Sequence, residues 1–530
     1  MRCGKASALL MVAMIAGRVQ AAQDTATRTF EKTLTLGTNQ TFNLESKFGE
    51  VRIHGENGRE ARITATIRAQ AGSQSEANKN VEEIKIEVSQ DAEGIKVKTV
   101  YPEEHLLLRI HKGSYSVDYD IAVPVDAKLW VRSGFGNLEV RGVQGWADIE
   151  NGHGQLTSRD SGSTKLVNSF GSVEATGATG NLWIVNNNGS VQVSAVKGAV
   201  DVKDRFASIT VSNVEGAVTI SGGNGPVELA DAGTSTVTNS FGPVTAKNIH
   251  GNLTVNNNNG LIEIDTVQGS ATLTGSFGSI NFANVTGNVK CNSANGKVKG
   301  GRTGNDAYVK TTFGEVSLEQ IGGAVTVENS NGNITAKEIK GKAEFSTSFG
   351  SIEASGLRKG VKATTGNGHI SLTDAGGDAY VKTSFGSVNV QRVNGNLRVE
   401  NSNGPVVANS ISGEASAKMS FGSVTLDDVA GSITVDNQNG AVTVSEARTS
   451  TKCSAVTAKT SFAPMQVRIS EGGNYTVSAR TSFGRINSEL PITTSGQMGG
   501  DALNGKIGNG GCTLSLTNSN GNIEILKLSR

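Results

Sequence analysis

Counting from Gly422, aliphatic residues fall at Val424, Leu426, Val429, Ile433 and Val435, with polar residues between them. The alternation at 424/426 and at 433/435 puts each pair on one face of a short strand. The three-residue step from Leu426 to Val429 requires a bend, and Gly431, nine residues after Gly422, marks a second corner. The same offsets from Gly386 give Val388, Val390, Val393, Gly395, Leu397 and Val399. From Gly278 they give Ile280, Phe282, Val285, Gly287, Val289 and Cys291. Each unit of about 18 residues therefore predicts two short strands and two glycine corners. Glycine is expected there because the corners need a positive φ or a close approach of backbone to backbone.

Two strands with one apolar face cannot enclose a core alone. Stacking many such units can, with each strand pairing in parallel with its counterpart one coil away. The pattern predicts an all-β chain folded as a parallel β-solenoid, or β-helix. A hairpin meander is the rival reading, since Asn-Gly also favours tight hairpins. What separates the two is a longer period. Phe-Gly recurs at Phe170, Phe241, Phe277, Phe313, Phe349, Phe385 and Phe421, with Phe206-Ala207 a variant. Asn-Gly recurs midway, at Asn188, Asn224, Asn259, Asn295, Asn331, Asn367, Asn403 and Asn439. Phe thus returns every second coil at one offset, which stacking explains and a meander does not. Both residues precede a corner glycine. Phe is expected to tuck under its corner, and the smaller Asn, which can bond its own turn, to accommodate the ring's bulk. Spacing from Phe135 to Phe483 allows roughly 19 coils, a rod on the order of 90 Å at the usual strand separation.

The regular pattern spans residues 126–490. Residues 22–125 are less regular and are expected to form a β-rich cap over the first edge of the solenoid. Within them, Phe48-Gly49 with Val51 and Ile53 already resembles a coil, and Ser73 to Val81 suits a short helix or loop. After Phe421 the period slips. Residues 491–530 read as a Gly-rich loop followed by a closing coil from Cys512 to Leu528. Residues 1–21 have the form of a signal peptide: Arg2 and Lys5, an apolar run from Ala6 to Gly17, and small residues at Val19 and Ala21. No later stretch is apolar enough for a membrane-spanning helix.

Composition agrees with this reading. The chain is rich in glycine (67 of 530 residues) and poor in proline (7), as strands joined by tight corners require. Its 49 basic and 48 acidic residues leave a net charge of +1, which gives no electrostatic case for nucleic acid. Cys291, Cys453 and Cys512 remain after signal removal; being odd in number and far apart, they suggest neither a disulfide framework nor a metal site. Cys291 fills a slot that holds Val or Ile in neighbouring coils, so it reads as a small buried hydrophobe.

Little in the sequence points to catalysis. The six histidines, His54, His105, His111, His153, His250 and His369, show no metal-ligand spacing, and His153 and His369 read as exposed turn residues. No nucleophile elbow, P-loop or zinc-protease motif is present, and no catalytic, cofactor-binding or metal-binding residue is assigned. Some β-helix proteins cleave polysaccharides with carboxylates clustered on an outer face. The best such patch here is Asp427, Asp428 and Glu446, one coil apart, and it reads as a solvated face. The outward positions lack the flat Thr array of an ice-binding surface, and the calcium-binding nonapeptide is absent. Trp130, Trp146 and Trp183 are expected to pack near the start of the solenoid.

The units of the type SFGSVTLDDVAGSITVDN (residues 420–437) and the approach IAVPVDAKLWVRSGFGNLEV (residues 121–140) resemble the bacterial putative-adhesin family of β-strand repeat proteins. The resemblance implies an exported, envelope-associated β-solenoid and brings no catalytic residues with it. Polymer-forming bactofilins share a comparable solenoid but act in the cytoplasm, contrary to the signal sequence. The expected function is that of a non-enzymatic, adhesin-like binding or structural protein of the cell envelope or surface. Its expected partners are a glycan, an envelope polymer or a surface protein, without a cofactor. The alternatives are a polysaccharide-active β-helix enzyme and a scaffold self-assembling through its end coils.

Overall fold

The computed structural model describes residues 24–101, 114–448, 453–494 and 501–528. The signal-peptide segment, His105 and His111 lie outside the described residues. The chain is nearly all β, with 66% strand and 2% helix, and contains a parallel β-solenoid of about 18 turns. It divides into two compact units, one up to Gly171 and one from Ser172.

In the second unit each turn contributes one strand to each of two parallel sheets. In the first sheet Val406, Val424 and Val442 are in-register neighbours; in the second, Leu397, Ala415 and Ile433 are. The inward aliphatics form columns. Val424, Leu426, Val429, Ile433 and Val435 are all essentially inaccessible to solvent. Bulk is balanced between neighbouring turns: the Phe282 ring lies over Gly300, where an added Cβ would come within 2.0 Å of it. Buried Phe345 pairs with Ala363 on one side and Val327 on the other.

The bend required before Val429 is made by a single left-handed residue in each turn. Asp428 sits at φ 59°, and twelve further non-glycine residues of the second unit, among them Asn213, Asn248, Asn284 and Asp374, sit between 50° and 62°. Asn and Asp are common there because a short polar side chain tolerates this conformation best. The two glycine corners answer to different needs. Gly422 has φ 127°, closed to other residues without strain. Gly431 has no such φ, but a Cβ on it would meet the Gly413 carbonyl oxygen at 2.5 Å and its carbon at 2.6 Å.

A sixth inward position is polar. Asn437 is buried, and its amide donates to the carbonyls of Gly422 at 2.9 Å and Gly440 at 3.1 Å, joining two successive corners. Asn401 and Asn239 do the same, Asn257 donates to the Gly242 carbonyl, and Thr365 and Thr383 donate a hydroxyl to the Gly350 and Gly368 carbonyls. Asp204 is the acidic member of this column, in register with Asn186. Burial pushes its carboxyl from 3.8 up to about 6, against the opposing pull of the Arg205, Ala207 and Phe206 amides.

In the first unit, Thr41–Phe48 and Val51–Glu56 make the first coil, joined in parallel to Lys128–Phe135 and Leu138–Arg141. The other edges of this coil are covered by Gly94–Val100 and Ser114–Pro124. Asp24–Thr35, Glu60–Ala71 and Ser114–Pro124 form an antiparallel ribbon, and a helix at Gln74–Glu83, capped by Ser73, lies beside it.

The C-terminal end corrects two expectations. Cys512–Asn520 does not close the solenoid. It inserts between Val456–Thr460 and Tyr475–Phe483, pairing in parallel with both. Tyr475–Phe483 is then covered by the antiparallel strand Ala502–Ile507. The insertion brings Cys512 beside Cys453, 59 residues earlier, and the two form a disulfide with Cα atoms 5.9 Å apart. Sequence separation hid this pair because the chain doubles back. Cys291 is buried and free, and burial pushes its thiol up to about 12, away from the reactive thiolate.

Gly431→Ala should lower stability by about 2 kcal/mol or more, because the atoms it meets are backbone. Gly472→Ala, with no atom within 4 Å of the new Cβ, should stay within about 0.5 kcal/mol of the parent. Thermal denaturation compares them. Asp204 has a raised folded-state pKa, so its stabilising contribution is full below its ordinary 3.8 and lost as pH rises through about 6. Asp204→Asn should therefore raise the thermal midpoint at pH 7, with the gain shrinking toward pH 4 in scanning calorimetry.

Candidate functional site: an exposed phenylalanine and asparagine edge

The corner phenylalanines do not tuck inward. Phe241, Phe277, Phe313, Phe349, Phe385 and Phe421 are 53–66% exposed. The turns lie in close backbone contact at these corners; behind Phe241, Phe349 and Phe385 the buried Asn239, Thr347 and Thr383 also bind glycine carbonyls, and behind Phe421 the place is filled by buried Met419. Little room remains for a ring, so it stays outside. Asn-Gly occupies the alternate turns in register: Phe241 pairs with Asn259 and Asn259 with Phe277, and Phe385, Asn403, Phe421 and Asn439 follow in the same order. The amides of Asn295 and Asn331 turn back to the carbonyls of Ser276 and Thr312, each at 3.3 Å. The result is a row of rings two turns apart, about 9.6 Å from the strand spacing, separated by low polar steps.

This edge is almost uncharged. Across the corner residues from Ser240 to Ser423, the charged side chains are Lys297 and Glu315, which pair at 3.3 Å, with His369 as the only other titratable group. His369 Nδ1 lies 2.8 Å from Ser351 Oγ.

The first unit has the same edge without the polar steps. Phe48 stacks on Phe135 at 5.4 Å, Phe135 on His153 at 4.4 Å, and His153 on Phe170 at 4.7 Å. Tyr101 and Tyr115 meet Phe48 edge-on. His153 is exposed, as expected, but it ends the strand Ala147–His153 rather than lying in the turn, and it fills the place between two phenylalanines.

Elsewhere on the second unit, outward charges pair between turns: Lys310 with Glu328 at 3.5 Å, Lys362 with Glu344 at 2.5 Å, and Lys382 with Glu400 at 3.4 Å. A shallow groove of about 790 Å³ runs over Thr326, Glu344, Lys362, Tyr380 and Arg398. Two of its charges, Glu344 and Lys362, pair with one another. Arg398 lies over the Tyr380 ring and bonds Glu400, whose carboxyl is held below the usual range by Arg398 and Lys382. Such exposed pairs contribute little to stability.

The acidic patch is not a solvated face. Glu446 is buried, in register with Val429. It accepts from Ser454 N at 3.0 Å, Ser470 N at 3.1 Å and the Tyr475 hydroxyl at 2.5 Å. Burial and this carboxylate push the Tyr475 hydroxyl strongly upward. Asp427 accepts from Ser445 Oγ and Asn409, and Asp428 from Ser410 Oγ and Arg448 N. The three carboxylates hold turns and do not face one another across a cleft. The register slips at this point of the sheet, between Leu426 and Val429, and that slip turns Glu446 inward.

Two of the tryptophans are more exposed than a packed position would leave them. Trp183 lies between inward Leu182 and Ile184, so it points out and is 38% exposed; Trp146 is 42% exposed. Trp130 lies under the Arg132 guanidinium, 4.3 Å from the ring centre. Among the described residues no group of His, Cys, Asp and Glu is placed to hold a metal ion, and no helix is long and apolar enough to cross a membrane.

No family model matches the chain. No curated protein matches it either. A solved structure from Clostridium sporogenes ATCC 15579, described as a putative cell adhesion protein, aligns with 48% of this chain and 99% of its own at 9% identity, with a TM-score of 0.16. At that distance the likeness carries no functional argument.

Phe349→Ser should leave stability within about 0.5 kcal/mol of the parent, as an exposed site does. Phe345→Ala, four residues away and buried, should cost about 3–5 kcal/mol. Paired thermal melts distinguish an outward binding ring from a core ring.

Proposed function

We propose that this chain is a non-enzymatic, exported β-solenoid of the cell envelope or surface that binds by repetition, with adhesin-like or structural consequences. The observation that carries the proposal is the row of exposed phenylalanines at a fixed two-turn interval. A soluble protein rarely leaves so many large apolar side chains in one line without a partner to cover them. Each ring offers one weak contact, and a rigid array of them multiplies effective affinity. The partner classes that suit a nearly neutral aromatic edge are a glycan, an envelope polymer or a surface protein. The Cys453–Cys512 disulfide supports export, since such bonds persist in oxidising compartments. The bonded, partly buried state of Asp427, Asp428 and Glu446 disfavours the polysaccharide-cleaving alternative.

The test is retention of the chain on glycan arrays, isolated envelope polymer and immobilised envelope proteins. A variant with Phe277, Phe313, Phe349 and Phe385 replaced by Ser should lose at least about tenfold in retention, whereas Asp427→Asn with Asp428→Asn should keep it. Retention indifferent to the rings, or release of sugar fragments from a polysaccharide, would sink the proposal.

A further inference from the structure

We infer that the partner covering the phenylalanine edge of the second unit is a second copy of this chain, docked edge to edge with the rings of each entering the steps of the other. This rests on the edge being a binding surface, as proposed above, and names its occupant. The first unit shows how such a step is filled. Phe135 and Phe170 stand two turns apart, and the His153 ring between them stacks within 4.7 Å of both, at interplanar angles of 13° and 12°. A two-turn interval therefore admits a third ring. In the second unit that place is held by Asn, a smaller side chain than a ring, and the amides of Asn295 and Asn331 are drawn back to the backbone carbonyls of Ser276 and Thr312 in the preceding turn.

The alternation makes the edge complementary to itself. Rings and steps have equal period, so a copy reversed end for end and shifted by one turn sets every ring opposite a step. Reversal gives a twofold, closed contact, in which the same residues serve both copies. Charge does not oppose it, because Lys297 and Glu315, the Lys and Glu of the strip, pair with one another. The area suffices. Six rings from Phe241 to Phe421, each about half exposed and carrying roughly 200 Å², offer about 600 Å² per copy, so that about 1,200 Å² is covered in all, the lower bound for a stable pair.

Sedimentation velocity on the full chain over a wide concentration range tests this. The expected result is a monomer–dimer equilibrium. Phe313→Ser with Phe349→Ser should weaken it about a hundredfold. The decisive variant fills the steps: Asn259→Phe, Asn331→Phe and Asn403→Phe together make the edge more apolar, and they should abolish the dimer because the partner's rings have nowhere to enter. Unchanged circular dichroism controls for folding. A chain that is monomeric throughout, or a step-filled variant that associates as well or better, overturns the inference. A monomer whose retention on glycan or envelope polymer still requires the rings overturns the second copy and leaves the wider reading standing. A monomer whose retention ignores the rings overturns both.

Discussion

Parallel, in-register hydrogen bonding between one turn and the next is the constraint on which everything else in this protein depends. It fixes equal phases of the sequence as neighbours, so a choice made at one offset is repeated along a whole column. An aliphatic at the offset of Val424 becomes part of a continuous core. A glycine at the offset of Gly431 lets successive turns approach at the corner. A Lys at one outer offset meets a Glu in the next turn, as Lys310 meets Glu328. The near-balance of charge over the chain is thus in part a local matter of turn-to-turn pairing.

The same constraint accounts for the edge. Where two sheets meet at a narrow corner, backbone fills the inside, and in many turns a buried Asn or Thr binds the corner carbonyls. A bulky residue at that offset can only face water. The chain nevertheless places a phenylalanine there every second turn, and leaves the intervening places small and polar. Local packing does not call for this pattern, since in the first unit Phe48 and Phe135 occupy adjacent turns and stack directly.

The architecture was legible because it is periodic. Offsets from Gly422, Gly386 and Gly278 named the inward residues correctly, and the step from Leu426 to Val429 announced a bend, though not that one left-handed residue makes it. The orientation of the phenylalanines was not legible. Strand alternation points Phe421 inward along with Met419, and only the corner, where the strand ends, reverses it. The structural asparagine was hidden for a related reason. Asn439 drew attention beside its glycine, while the buried donor is Asn437, two residues earlier. Glu446 and the cysteine pair fall where the period fails, and there equal phase no longer implies adjacency.

The inserted coil at the C-terminal end has a consequence in time. Cys512–Asn520 follows both Val456–Thr460 and Tyr475–Phe483 in the chain, yet it lies between them. Tyr475–Phe483 therefore cannot settle directly on Val456–Thr460; it must wait, or part again, until Cys512–Asn520 is available to enter between them. This end of the solenoid is thus assembled out of chain order, and the covalent link between Cys453 and Cys512 records that the later segment has taken its place.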